Sequence, residues 1–228
     1  MMTFGEMCVK VAEREMARVN PPTAVDVAVY FQNCVRGGKI LGIKKGNHCA
    51  AFASWCAAQT LLEMGVDSPP NLPHQYRAGA KELMCDSIAS ATWHEKSEVL
   101  AGVWLPEKGD LAIYDRSIPG RPETAWWGHV DRVMSVDGSH YQNIGANEAP
   151  NPTGINATRI EWTPFNHSRL LGFIAYPREN SQSPKHLLKS WQIDYLKGLV
   201  ALTTQQMLDE VRAEADFEAD WKARTANA

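Results

Sequence analysis

Cys49 sits in the stretch GNHCAAFASWC (Gly46 to Cys56), at the start of an alanine-rich apolar run and just after residues that favour turns and helix caps. In the first turn of a helix, its sulfur lies near unpaired backbone N–H groups and the positive end of the helix dipole. Both favour thiolate over thiol, and the thiolate is the attacking form. The same amides suit the oxyanion of a tetrahedral intermediate. A cysteine nucleophile needs a base. Of the seven histidines, His129 stands out, because it opens the apolar strand of WWGHVDRVMSV directly after a glycine. A histidine at a sheet edge can face a helix N-terminus packed against that sheet. A third group should orient the imidazole and fix its tautomer. The candidates are Asn147 and Glu148 in NIGANE, on or just after the next strand, and Asp131, two residues from His129 and so on the same strand face.

Each residue type also has a structural use. Cysteine often serves as a small buried hydrophobe, and Cys8, Cys34, Cys56 and Cys85 are read that way. Cys56 lies nearly on the helix face of Cys49 and, with Phe52, marks the packed side. A strand histidine is commonly structural, and an asparagine at a strand end is commonly a turn residue.

The elements that must position these groups fall into two blocks. The first half reads as helices over 4–19, 23–35 (closed by Gly37-Gly38), 49–64 (stopped at Gly65) and about 75–90. From residue 103 the period changes to short β-type segments at 110–114, 129–136, 141–144, 159–162 and 170–176. Asp137-Gly138 is a hairpin signal between the second and third. Helices followed by an antiparallel sheet make an α+β domain. Beyond Pro177 a polar loop precedes helical patterns at 185–199 and 203–222, with Thr203 and Gln206 as a capping box. Their acidic run from Asp209 to Asp220 reads as a solvated face. The expected organisation is a catalytic domain over 1–178 and a helical extension over 179–228.

Composition narrows the function. The chain has 228 residues, 44% hydrophobic and 21% charged, with mean hydropathy -0.33. A net charge of -3 and a pI near 6.2 give no general attraction for nucleic acid or anionic lipid. No apolar run is long enough for a membrane span, and Glu6, Lys10, Glu13 and Arg14 interrupt any secretory signal. The expectation is synthesis in the cytoplasm, with any action elsewhere depending on release or delivery. Five cysteines without a CxxC pair argue against a disulfide framework or structural zinc. His94-Glu95 begins like a zincin motif, but position 98 is Glu. Neither a metal nor an organic cofactor is expected.

Taken in order, GNHCAAFASWC, GDLAIYDR, WGHVDRVMSVDG and NIGANE resemble CHAP domains, the cysteine- and histidine-dependent amidohydrolases/peptidases of the NlpC-like, papain-related superfamily. The resemblance covers about residues 45–176. It implies a papain-like fold, with Cys49 as nucleophile, His129 as base and Asn147 as orienting residue. Where many members carry a carboxylate two residues before that asparagine, this chain has Gly145, leaving Asp131 or Glu148 as substitutes. Where relatives often have Trp or Gln before the cysteine, it has His48, a candidate oxyanion helper. The loop 116–127, with Trp126 and Trp127, is a candidate wall of the substrate cleft or else a surface loop.

The resemblance further implies peptidoglycan as partner and substrate, cut at the muramoyl–alanine amide or at a stem or cross-bridge peptide bond. A phage endolysin, or a delivered antibacterial effector with a cognate immunity protein, would fit. The rival readings are a cysteine protease or deamidase-type effector acting on protein, and a non-catalytic wall-binding or phage structural protein.

Overall fold

A computed structural model describes residues 2–36, 39–40, 47–64, 72–150 and 156–178. The expected helices at 185–199 and 203–222 lie outside the described residues. Two early helices, α1 (Phe4–Arg18) and α2 (Ala24–Tyr30), each begin at a threonine whose hydroxyl accepts from the N3 amide while the N3 carboxylate accepts in return: Thr3 with Glu6 and Thr23 with Asp26. A short ribbon, β1 (Val35–Arg36) with β2 (Lys39–Ile40), follows. Then come α3 (Cys49–Met64), α4 (Ala80–Ala89), β3 (Trp93–Glu95), α5 (Lys96–Leu100), β4 (Leu111–Asp115), β5 (Gly128–Asp137), β6 (His140–Pro150), β7 (Asn156–Pro164) and β8 (Leu170–Ile174).

Strands β3 to β8 form one antiparallel sheet in the order β3-β8-β4-β5-β6-β7. The chain is therefore α+β, helices first and sheet second. The β5–β6 hairpin closes with Asp137 opposite His140, and Gly138 takes the positive φ of 56° that such a tight turn requires.

One sheet face supports α3. Its alanines, Ala50, Ala51, Ala53, Ala57 and Ala58, are all buried, and side chains this small bring the helix axis close to the strands. Phe52 and Cys56 join Val11 and Ala12 of α1, Val27 and Tyr30 of α2, and Ile144 and Ala146 of β6 in one apolar cluster. On the other face Ala112, Tyr114, Val133, Tyr141, Phe165, Leu170 and Phe173 pack with Val99 of α5. Among the described residues, no helix is long and apolar enough to cross a membrane.

Several boundaries differ from the sequence expectation. The helix expected over 23–35 ends at Tyr30, because Val35 gives its N–H to the Tyr76 carbonyl at 2.7 Å and enters the β1–β2 ribbon. The helix expected from residue 75 begins at Ala80, since Asp86 captures the preceding segment through Gln75 N at 2.9 Å and the Arg77 guanidinium at 2.8 and 2.9 Å. Strand β3 and helix α5 were not expected. With three and five residues they are too short to show a period. Strands β6 and β7 run to eleven and nine residues, longer than the segments read at 141–144 and 159–162.

Candidate active site

Cys49 is the first residue of α3 and 4% exposed. The first turn holds no acidic side chain, so nothing there offsets the dipole's support for a thiolate. The His129 ring and the Val130 backbone N–H are the groups of β5 nearest in effect to the sulfur, which places Cys49 against the start of that strand. Burial pushes the Cys49 thiol up. The His129 imidazolium, with Arg116 and the Val130 amide, outweighs that and holds it below the ordinary thiol value of 9.0. For His129 burial acts downward. The Asp131 carboxylate and the Cys49 thiolate overcome it and hold the ring well above 6.5. The two shifts run in opposite directions, and each partner favours the charged form of the other.

The pair is backed by a carboxylate. His129 Nε2 lies 2.7 Å from Asp131 Oδ1, which leaves Nδ1 as the ring nitrogen for Cys49. Both residues are 4% exposed, and strand periodicity sets them on one face. Asp131 is held in turn: Asn143 Nδ2 donates to its Oδ2 at 2.5 Å and to the Tyr114 hydroxyl at 3.1 Å, and the Tyr114 and Tyr141 hydroxyls lie 2.5 Å apart. This buried polar chain fixes the carboxylate's rotamer.

Arg132 bridges β5 and α3. It is 2% exposed and donates to the Gly109 carbonyl at 2.7 Å, the Ala53 carbonyl at 3.3 Å and the Tyr176 hydroxyl at 3.4 Å. Ala53 is one helical turn past Cys49 and Arg132 three residues past His129, so the guanidinium ties α3 to β5 directly behind the reacting pair. The Tyr176 hydroxyl also meets His74 Nε2 at 2.6 Å, while His74 Nδ1 bonds the Gln75 carbonyl at 2.7 Å.

The other residues singled out from sequence are distributed around this centre. Asn147, with a left-handed φ of 70°, gives its Nδ2 to Asn47 Oδ1 at 3.5 Å, and its carbonyl accepts from Arg116 at 3.5 Å. It sits beside the chain entering α3. His48 is 2% exposed, with its ring 6.1 Å from that of Tyr30. Glu148 belongs to β6, and its side chain lies outside the described residues. Trp126 and Trp127 are 42% and 41% exposed on a loop anchored by buried Thr124, whose hydroxyl accepts the Ile118 N–H at 2.8 Å. His94 pairs with Glu98 at 2.9 Å and stacks on Trp104 at 4.0 Å, a structural arrangement. Asn143, Arg132 and the tyrosine pair were not singled out from sequence. The available signal was a polar residue on the apolar face of an alternating strand.

A cleft of about 220 Å³ opens beside the base. Tyr114, Arg116, His129, Asp131 and Asn143 help to line it, and Trp126 and Trp127 do not.

Fold and site together define an α+β protein in which a helix-borne cysteine meets a strand-borne histidine–aspartate pair. No protein-family model matches the sequence, and no curated protein matches it. Solved structures similar to this chain include the crystal structure of Ly7917, with a TM-score of 0.36, and that of Ly7917 with the hydrolyzing product of MDP, with a TM-score of 0.33. Each is 17% identical and covers 68% of this chain, and the match spans 62% and 63% of the neighbours' own chains, less than two thirds. At such values the functional reading rests on the geometry of the site.

Proposed function

We propose that the protein is a papain-like cysteine amidohydrolase of the CHAP type that cleaves an amide bond in peptidoglycan. The observation that supports this best is Cys49 at the start of α3 beside His129, with Asp131 2.7 Å from the ring. The Cys49 thiolate attacks the scissile carbonyl, and an S–C bond forms. First-turn amides of α3, the Cys49 N–H among them, stabilise the oxyanion. As the C–N bond breaks, His129 gives its proton to the departing amine nitrogen. A thioester remains. Water attacks it, giving one proton to His129 while the S–C bond breaks, and the thiolate–imidazolium pair returns with release of the acid. Asp131 stabilises the imidazolium throughout, and Asn147 positions the segment before Cys49.

Peptidoglycan as substrate follows from the sequence resemblance and places the action at the cell wall, after release as an endolysin or delivery as an antibacterial effector. An effector would have a cognate immunity protein, and the residues from 179 onward would form a helical extension that binds wall or partner. The test is to incubate wild type and Cys49→Ala with isolated sacculi and to identify released fragments by mass spectrometry. New free amines with wild type alone are expected, and the fragment masses identify the bond. Equal release by both proteins removes Cys49 from the mechanism. Sacculi left intact, with a protein substrate modified by wild type, would turn the reading to a protein-directed effector.

A further inference from the structure

The cleft beside His129 holds more than the reacting groups, and its wall has a charge pattern. Three carboxylates face it, and each is already engaged. Asp115 is bonded to Lys81 Nζ at 2.8 Å and to Ser117, Asp131 to His129 and Asn143, and Glu161 to Arg159 at 2.7 Å. Two guanidinium groups, Arg116 and Arg169, line the same space. Among the described residues neither is ion-paired with a carboxylate. Asn143 adds an acceptor, because its side chain is 3% exposed and its Oδ1 is buried without a hydrogen-bond partner among the described residues. A buried amide oxygen left unmatched costs stability unless something donates to it.

His129 and Asp131 are in the cleft wall, and Cys49 is not among the lining residues. The cleft therefore adjoins the base on the side of the ring that carries Asp131 and Asn143, and a fragment of substrate remote from the scissile carbon can enter it. Its volume of about 220 Å³ is below the roughly 300–1,000 Å³ of sites for drug-sized ligands, which suits one or two residues of peptide.

The geometry points to a subsite beside the base that selects a substrate fragment bearing a free carboxylate, held by Arg116 and Arg169 while Asn143 Oδ1 accepts a fragment N–H. Guanidinium forks match carboxylates in a two-bond geometry that a carboxamide cannot reproduce with equal charge. Naming the fragment as peptide rests on the proposed function. The subsite itself is testable without catalysis.

The probes are L-alanyl-D-glutamate and its fully amidated counterpart, titrated calorimetrically into the Cys49→Ala protein. The carboxylate form is expected to bind at least tenfold more tightly, with the margin shrinking as salt rises. In the same background, Arg116→Gln and Arg169→Gln should each bring the two probes to within about threefold of one another while leaving binding of the amidated probe unchanged. Equal binding of the two probes, no binding of either, or a preference that survives both arginine substitutions would overturn the subsite. Wild type from the same preparation is assayed on sacculi in parallel. Hydrolysis without carboxylate preference refutes the subsite and leaves the proposed function standing. Carboxylate preference in a protein that leaves sacculi intact does the reverse.

Discussion

Replacing Asp131 with Asn removes one charge while keeping the size of the side chain and an acceptor oxygen, which isolates the electrostatic support given to His129. The Asp131 Oδ1 to His129 Nε2 distance is 2.7 Å and both groups are 4% exposed, so solvent screening is weak. Taking the charge centres about 4 Å apart with an effective dielectric constant near 20 gives roughly 4 kcal/mol of attraction. The variant loses that attraction, so the His129 pKa is expected to fall. The sign is fixed. His129 is raised above 6.5 in the wild type with Asp131 as the leading favourable cause, so the imidazolium persists to higher pH and Asp131→Asn draws that upper limit down. Cys49 is held below 9.0 mainly by the imidazolium, so its thiolate forms less readily in the variant and the lower limit rises. The active window narrows from both sides. Iodoacetamide alkylation of Cys49 against pH, corrected with Cys49→Ala, measures the thiolate directly and needs no substrate, while NMR of the imidazole protons measures the ring. Unchanged profiles for both groups in Asp131→Asn would refute the coupling and return the orienting role to Asn147 or Glu148.

Three further expectations concern the frame. Arg132→Met should lower unfolding stability by about 3 kcal/mol, measured by urea titration, because three buried acceptors lose their donor, and should slow Cys49 alkylation as α3 loosens against β5. His74 is buried as the neutral ring, its pKa pushed down from 6.5 to about 4 by burial, so the unfolded chain takes up a proton first as pH falls. Stability is full above 6.5 and declines toward 4, by about 2 kcal/mol at pH 5 and about 3 kcal/mol below 4; His74→Gln should remove that slope between pH 7 and 5 in the same titration. Gly109 has φ of 103°, and an added Cβ would lie 2.3 Å from the Gly5 backbone, whereas Gly120, with φ of 79°, has nothing within 4 Å. Gly109→Ala should therefore cost roughly 3 kcal/mol or more, from strain and clash together, and Gly120→Ala about 1 to 2 kcal/mol from backbone strain alone, both read as thermal midpoints.

What the sequence disclosed follows from the length of each signal. Helix α3 is sixteen residues long with strong punctuation at both ends, and its expected and observed limits agree. Strands β4 and β5 carry enough β-type composition to be read within a residue. The true length of β6 was hidden because GANEAP looks like a turn. Asn147 does adopt a left-handed φ of 70°, and the β6–β7 register shifts between Ala146 and Pro150, yet pairing resumes beyond the irregularity. Gly37-Gly38 illustrates the opposite ambiguity, since the dipeptide serves a helix stop and a hairpin equally well, and the long-range bond from Val35 to Tyr76 is not a local property.

In the candidate site, Cys49 and His129 could be singled out because Cys49 opens α3 and His129 is the second residue of β5, and punctuation is strongest where an element begins. The choice among Asp131, Asn147 and Glu148 could not be made, because all three lie within reach by strand spacing and only side-chain rotamers separate them. The CHAP pattern puts a carboxylate where this chain has Gly145. Carrying the Arg132↔Ile144 register one residue further sets Gly145 opposite Asp131. In the proposed mechanism the carboxylate has thus crossed from β6 to the neighbouring strand at the same level of the sheet, and an acidic side chain at both positions would set two like charges against each other across the pair. The glycine removes that conflict, and Asn143 on β6 supplies the donor that steadies Asp131 from the side where the missing carboxylate would have stood. Residue 145 read alone departs from the pattern; in the proposed mechanism, its cross-strand neighbour Asp131 supplies the carboxylate instead.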